Sequence, residues 1–328
     1  MRYNSTIAKG GSLRFLVGIT ALIVFCASNV AMAVDYPKKP ISWVVTWPAG
    51  GGADTATRVF TQELEKVING TIVINNVVGG GASIGYMTAK QSANDGYTLV
   101  TAQGDLPKFS TLGMAPIAID DFEFIAGFAV QSVALIVKSD SPWATLEEFV
   151  EDARRHPGQR TIGVSDIGGV HHQPVILWAK EAGINVRAIA HDGSPQMNAA
   201  ILGGHVDMIA SYIRPAAPYV NEGQLRFLAY FGPNSPIEFP EIPTVKSLGY
   251  DVVWEQPYGI GVPAGAPEEI KTLLAEASET VWANPDVEKG LANIGLELYP
   301  KSGAELKQSL ENMQAGMVEI LRILKEGN

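Results

Sequence analysis

From residue 41 onward, short apolar runs alternate with stretches whose apolar residues recur at helical spacing, and this alternation restricts the chain to an α/β architecture. Ile41–Val45 is expected as a strand. Ala56, Phe60, Leu64 and Val67 then recur along one helix face, and a second strand follows at residues 72–74. Asn94-Asp95-Gly96 marks a turn before a third strand at 97–102. This βαβαβ order predicts parallel strands with helices on both faces of the sheet. Glycine loops occupy both strand-to-helix junctions: Pro48-Ala49-Gly50-Gly51-Gly52-Ala53-Asp54 and Gly79-Gly80-Gly81-Ala82-Ser83-Ile84-Gly85. Each brings backbone N–H groups to a helix N-terminus, a place that suits an anion.

The same alternation starts again beyond the apolar run 133–137, which Ser141-Pro142 ends. Thr145-Leu146-Glu147-Glu148 is a capping-box pattern that opens a helix reaching Arg155. Strands are expected at 161–164, 186–190 and 206–210, with helices at 174–182 and 196–202 between them. Prolines 233, 236, 240 and 243 mark a loop, and residues 258–262 form one more strand. Ser302-Gly303-Ala304-Glu305 caps a final helix over about 304–325. Trp43, Trp178 and Trp282 are expected to fill or cover cores.

The first 33 residues belong to a different class. Arg2, Lys9 and Arg14 flank an apolar run at 15–27, and Ala31-Met32-Ala33 follows as an A-x-A cleavage site. The segment is expected to direct export to the periplasm and to be removed near Ala33. A lipoprotein signal at Cys26 fits less well, because Phe25 stands where a small residue belongs. Cys26 is the one cysteine of the chain, so the mature protein has no disulfide and no cysteine metal site, and its core must hold it together. The roughly 295 residues left are enough for two domains. The full chain carries net charge −10, and cleavage removes three cations and no acid. That balance argues against nucleic acid or an anionic membrane as partner. No 18-residue apolar run follows the export segment, so the mature chain is not expected to span a membrane.

Nucleotide motifs are absent: neither glycine loop matches GxxxxGK[ST] or GxGxxG. His171-His172 does not make a metal site, since adjacent residues do not share a helix face; His172 is read as a structural residue at a helix start. Asp54 and Arg58, four apart, are read as a capping carboxylate and an i,i+4 ion pair.

Tyr36-Pro37-Lys38-Lys39-Pro40-Ile41, followed by Val44-Val45-Thr46-Trp47-Pro48-Ala49-Gly50-Gly51 and Asp54, resembles the substrate-binding proteins of tripartite tricarboxylate transporters, the Bug or TctC-like family. The resemblance continues at Asn76, Gly79, Gly81, Ile84-Gly85 and Asp95-Gly96-Tyr97-Thr98-Leu99. It extends to Leu202-Gly203-Gly204-His205-Val206-Asp207 and Pro263-Ala264-Gly265-Ala266-Pro267, in order over the mature chain. It implies an α/β, two-lobed periplasmic-binding fold of the Venus-flytrap, type II-like kind, with two strand crossovers. Lobe 1 would be residues 34–130 with 254–328, and lobe 2 residues 131–253. The implied function is to hold a small organic carboxylate between the lobes and deliver it to a membrane permease, as a monomer, without catalysis, cofactor or metal.

Carried over residue by residue, the resemblance puts the proximal carboxylate against Trp47, Ala49, Gly50, Gly51, Gly80, Gly81 and Ala82. Gln103, Ser165, Gly169, His191, Asp192 and Ser211 complete the expected ligand-binding set. The sequence departs from the family at several of these positions. Ala49 stands where a second proline is usual, and Val77-Val78 where Arg-Pro is common. His191-Asp192-Gly193 stands in the place of Tyr-Lys-Gly, Gly169 in that of a serine, and Ser211 in that of an aspartate. Asp192 either meets a ligand hydroxyl or amine or stabilises its turn. Two other functions compete with this one: a ligand-presenting sensor, and an exported hydrolase built on Ser165, His191 and Asp192. The second lacks a GxSxG elbow, and its His and Asp are adjacent, which suits a triad poorly.

Overall fold

The structure, a computed structural model, describes Met1, residues 35–165 and residues 167–326. The expected export segment and its cleavage point lie outside the described residues. The fold is that of the unit beginning at Tyr36.

Strands β1 (Ile41–Val45), β2 (Ile72–Asn76), β3 (Thr98–Gln103) and β4 (Phe122–Gln131) enter a first sheet. Strands β5 (Val133–Lys138), β6 (Thr161–Val164), β7 (Arg187–Ala190), β8 (Met208–Tyr212) and β9 (Leu225–Tyr230) make a second. The chain then returns through β10 (Gln256–Pro263) and β11 (Glu297–Leu298). The first sheet has the order β11-β4-β10-β3-β1-β2 and the second β7-β6-β8-β5-β9. The chain thus passes between sheets twice, at Ser132 and in the segment joining β9 to β10. The fold is two-lobed, with two crossovers.

The expected parallel arrangement holds for β1 with β2 and β3, and for β6 with β7 and β8. It does not hold for the strands next to the crossovers. β10 runs antiparallel to both β3 and β4, and β5 antiparallel to both β8 and β9. Parallel pairs need a helical return connection, whereas β4 and β5 follow each other across one residue, and β10 arrives from the other sheet.

Each sheet is buried on both faces. On one side of the first sheet, Trp43, Phe60, Leu64 and Phe128 pack with the helices Gly52–Ile68 and Glu268–Trp282. Tyr86, Leu99's neighbour Val100, Phe109 and Leu306 fill the other side. Trp43 and Trp178 are fully buried, and Trp282 is partly buried with its indole N–H on the Gly127 carbonyl at 3.0 Å. A polar thread crosses the first core. Trp43 Nε1 donates to Thr101 Oγ1 (2.9 Å), the Thr101 hydroxyl lies 2.8 Å from Thr57 Oγ1, and the Thr57 hydroxyl donates to the Ala53 carbonyl (2.7 Å). Buried polar groups are stable only when satisfied in this way.

Both capping patterns form helices at the expected places. Thr145 Oγ1 accepts from the Glu148 N–H ahead of the helix Leu146–Arg155. Ser302 Oγ accepts from the Glu305 N–H, and a Glu305 carboxylate oxygen accepts from the Ser302 N–H at 2.9 Å, ahead of the helix Gly303–Glu326. This last helix belongs to both cores: Leu306 and Leu310 pack under the first sheet, while Met313 packs with residues of the second.

Candidate functional site

Parallel strands bring their C-terminal ends to one edge of a sheet, and ligands in such sheets bind in the crevice beyond that edge. In the first sheet the edge carries the loop after β1, with Trp47, the loop after β2, with Gly81, and the turn after β3, with Asp105 and Lys108. In the second sheet it carries Ser165 and residues 167–171 after β6, and the turn after β7, with Gly193. These two sets line one cleft of about 590 Å³ between the sheets.

The two glycine loops differ in what they offer. In the first, the Gly50 N–H donates to Asp54 Oδ2 (2.8 Å) and the Gly51 N–H to the Pro48 carbonyl (3.2 Å). Asp54 also accepts from Arg58 and from Asn76 Nδ2 (3.0 Å), and the Asn76 amide donates in addition to the Trp47 carbonyl (2.9 Å). Asp54 is thus a clamp on the loop, ion-paired to Arg58 as its spacing predicts. Trp47, Pro48, Ala49 and Gly50 are exposed.

In the second loop, Gly79, Gly80, Gly81 and Ala82 are consecutively left-handed, with Gly81 at φ +60° and Ala82 at φ +84°. The turn is closed by the Ala82 N–H on the Gly79 carbonyl (3.1 Å), ahead of the helix Ser83–Lys90. Gly81 faces the cleft, while Ala82 is buried under it.

The floor of the cleft holds two charged residues that pattern reading missed. Asp105 is buried; its carboxylate accepts from Trp47 Nε1 (2.8 Å), the Tyr86 hydroxyl (3.0 Å) and Gln103 Nε2 (3.3 Å). Burial pushes its pKa up, and the Lys108 ammonium with the Trp47 and Tyr86 donors pulls against that shift without cancelling it. Burial and the adjacent Asp105 push the Tyr86 phenol well above its usual value. Gln103 is itself buried, donates also to Thr46 Oγ1 (3.0 Å), and lies beneath the cleft as support for Asp105. Lys108 Nζ stands 5.7 Å from the centre of the Trp47 ring and 3.6 Å from where a Cβ on Gly81 would lie. The signal that could have found both residues is their place just beyond the C-terminal end of β3.

On the opposing wall, Ser165 and Gly169 line the cleft. Ser165 Oγ shares a 2.6 Å hydrogen bond with His171 Nδ1, and the His171 ring lies 4.4 Å from that of Tyr212. His191 is elsewhere. Its backbone N–H bonds the Val164 carbonyl (2.9 Å) and its ring packs near Gly163. Ser165 therefore meets His171 rather than His191. Asp192 is exposed, in a turn that the Gly193 N–H closes onto the His191 carbonyl (2.9 Å). Ser211 is fully buried in β8 and donates to Ser194 Oγ (3.1 Å). His172 begins its helix, and its Nδ1 accepts the Gly168 N–H (2.9 Å). Among the described residues no three His, Cys, Asp or Glu side chains gather to hold a metal ion.

Compared with known proteins, the chain matches the profile of the tripartite tricarboxylate transporter family receptor over residues 56–324. The chain belongs to this family. A UPF0065 protein from the gbd 5′ region of Cupriavidus necator is 30% identical over 313 residues, covering 94% of this chain and 93% of that protein. A TctC solute-binding protein from Polaromonas, solved without ligand, superposes with TM-score 0.79 at 25% identity, covering 88% of this chain and 99% of the other. An R. palustris protein solved with adipate superposes with TM-score 0.75 at 22% identity, covering 88% and 98%. The chain is therefore a two-lobed solute-binding receptor of the tripartite tricarboxylate transporter type. Among its described residues no helix is long and apolar enough to cross a membrane.

Proposed function

We propose that this receptor works in the periplasm, closing lobe 1 (34–130 with 254–328) and lobe 2 (131–253) over a small organic carboxylate and passing it to a permease. It does so as a monomer and without chemical conversion of the ligand. The observation that carries the reading is the convergence of two sheet edges on one cleft that contains Lys108 beside Gly81. A helix N-terminus and a nearby ammonium both favour an anion there. The adipate-bound relative supports a carboxylate as that anion.

Within this reading, Trp47, Ala49, Gly80 and Gly81 meet the proximal carboxylate. Gly50, Gly51 and Ala82 shape the two loops, and Gln103 supports the floor through Asp105. Ser165 and Gly169 face the distal part of the ligand. His191, Asp192 and Ser211 act at most by setting the shape of the second lobe. A hydrolytic reading has one observation in its favour, the Ser165–His171 contact.

The test is calorimetric titration with mono- and dicarboxylates, followed by proton NMR of each mixture over a day. Saturable binding at micromolar Kd, about −8 kcal/mol, with every carboxylate recovered intact, is expected. Product formation, or no binding across the panel, would overturn the proposal.

A further inference from the structure

The walls of the cleft bear on which carboxylates it can hold. Lys108 is the one lysine or arginine among its described lining residues, and no described carboxylate lies within ion-pair distance of its ammonium. Asp105, the one acid among the described lining residues, has its oxygens taken by Trp47, Tyr86 and Gln103. Around this single cation the surface is apolar: Trp47, Leu112, Met114 and Ile167 are 37, 40, 57 and 55% exposed, with Val170 and Met317 beside them. Exposed apolar side chains gathered in one concave site mark a surface that is to be covered. The distal wall supplies glycines, the Ser165–His171 pair and Gln173, and the β7 turn supplies Gly193, so among the described lining residues no second lysine or arginine awaits a second carboxylate.

From this we infer that the receptor selects monocarboxylates with an apolar body. The single carboxylate is paired with Lys108 beside the Gly80-Gly81 loop, and the body lies against Trp47, Leu112, Met114 and Ile167. The inference rests on the proposed function's assignment of this cleft as the binding site. It differs from that proposal in excluding dicarboxylates as preferred ligands. A second carboxylate held here would lose its water against leucine, methionine and isoleucine without gaining a counter-charge, which is unfavourable. The apolar body, by contrast, gains affinity with each buried methylene, up to about fourfold at 0.8 kcal/mol per CH2.

The test is a matched pair of six-carbon probes, hexanoate and adipate, titrated into the protein by calorimetry alongside butanoate and octanoate. Hexanoate should bind at least tenfold more tightly than adipate, and affinity should rise about two- to fourfold per added methylene from butanoate to octanoate. Lys108→Met should weaken hexanoate at least thirtyfold, and Lys108→Arg should recover most of that loss. Adipate binding as tightly as hexanoate, or a flat chain-length series, overturns the inference and leaves the carboxylate receptor standing. Binding by none of the four probes overturns the inference, and the carboxylate receptor falls with it only if the wider panel of mono- and dicarboxylates also fails to bind. The wild-type comparison needs no variant, so a folding defect in Lys108→Met does not weaken the test; a folded Lys108→Met that keeps full hexanoate affinity removes Lys108 from the site.

Discussion

Asp54→Asn tests whether the first glycine loop is held in place by one carboxylate. The Asp54 side chain is 3% exposed and receives the Gly50 N–H, the Asn76 amide and two nitrogens of Arg58 at 2.8–3.0 Å. Asparagine preserves the volume but keeps one acceptor oxygen, turns an amide against other donors and removes the charge. Hydrogen bonds to a charged group are each worth about 1.5–3 kcal/mol, and bonds that share one acceptor do not add. The Arg58 side chain is 48% exposed, so its guanidinium can return to water. A net loss of about 2–3 kcal/mol follows, or roughly 3–5 °C in Tm for a chain of this size.

The same clamp fixes a pH dependence. Burial alone would push the Asp54 carboxyl up, but Arg58, the Gly50 N–H and Asn76 outweigh it and hold its pKa below the ordinary carboxylate value. A depressed folded pKa contributes stability above the unfolded value, near 3.9, and loses it as pH falls through the folded value. Thermal unfolding followed by circular dichroism should therefore show the full gap between wild type and Asp54→Asn at pH 7, shrinking below about pH 4. A gap under about 1 °C at pH 7, or one that persists unchanged into acid, would refute the clamp.

Three further perturbations probe other parts of the fold. Thr101→Val keeps the shape but strands the buried Trp43 indole N–H and breaks the thread to Thr57; a loss of about 2 kcal/mol is expected, and an unchanged urea midpoint would contradict it. At Gly303 an added Cβ would lie 1.9 Å from the Phe124 carbonyl oxygen. Gly303→Ala should cost about 2–3 kcal/mol by lifting the start of the final helix, and wild-type stability would show that the helix docks differently. Burial raises the pKa of Glu297, so its ionised form opposes folding above the unfolded carboxyl pKa, and that penalty lifts as pH falls. Glu297→Gln keeps an acceptor for the Tyr230 hydroxyl, so it should raise Tm by roughly 1–2 °C at pH 7 and by less at pH 4; no gain at pH 7 would refute the argument.

What was legible in the sequence was short in range. The strands Ile41–Val45 and Thr161–Val164 begin and end as their apolar runs do. The caps at Thr145 and Ser302 formed because three-residue spacing sets the hydroxyl against the third N–H wherever a helix starts; at Ser302 the Glu305 carboxylate closes the box, while at Thr145 the Glu148 carboxylate takes the Ala144 N–H. The helix Ile213–Asn221 escaped notice because Pro215 and Pro218 interrupt its helical reading. β4 escaped because an apolar run such as 124–130 does not by itself distinguish a strand from a buried helix.

The sequence alone determined the α/β alternation, the placing of two glycine loops at strand ends and the family to which the chain belongs, because each is carried by neighbouring residues. Only the tertiary structure decided how those loops are used. Register across β1, β2 and β3 brings Asp54 to Asn76, Trp47 to Asp105 and Lys108 to Gly81, pairs 22, 58 and 27 positions apart. The Gly50 and Gly51 N–H groups, which looked open to an anion, are closed within their own loop, and the charge that faces the cleft comes from Lys108. Separations of that size have no periodicity to announce them; they arise only when a sheet aligns its strand ends on one edge.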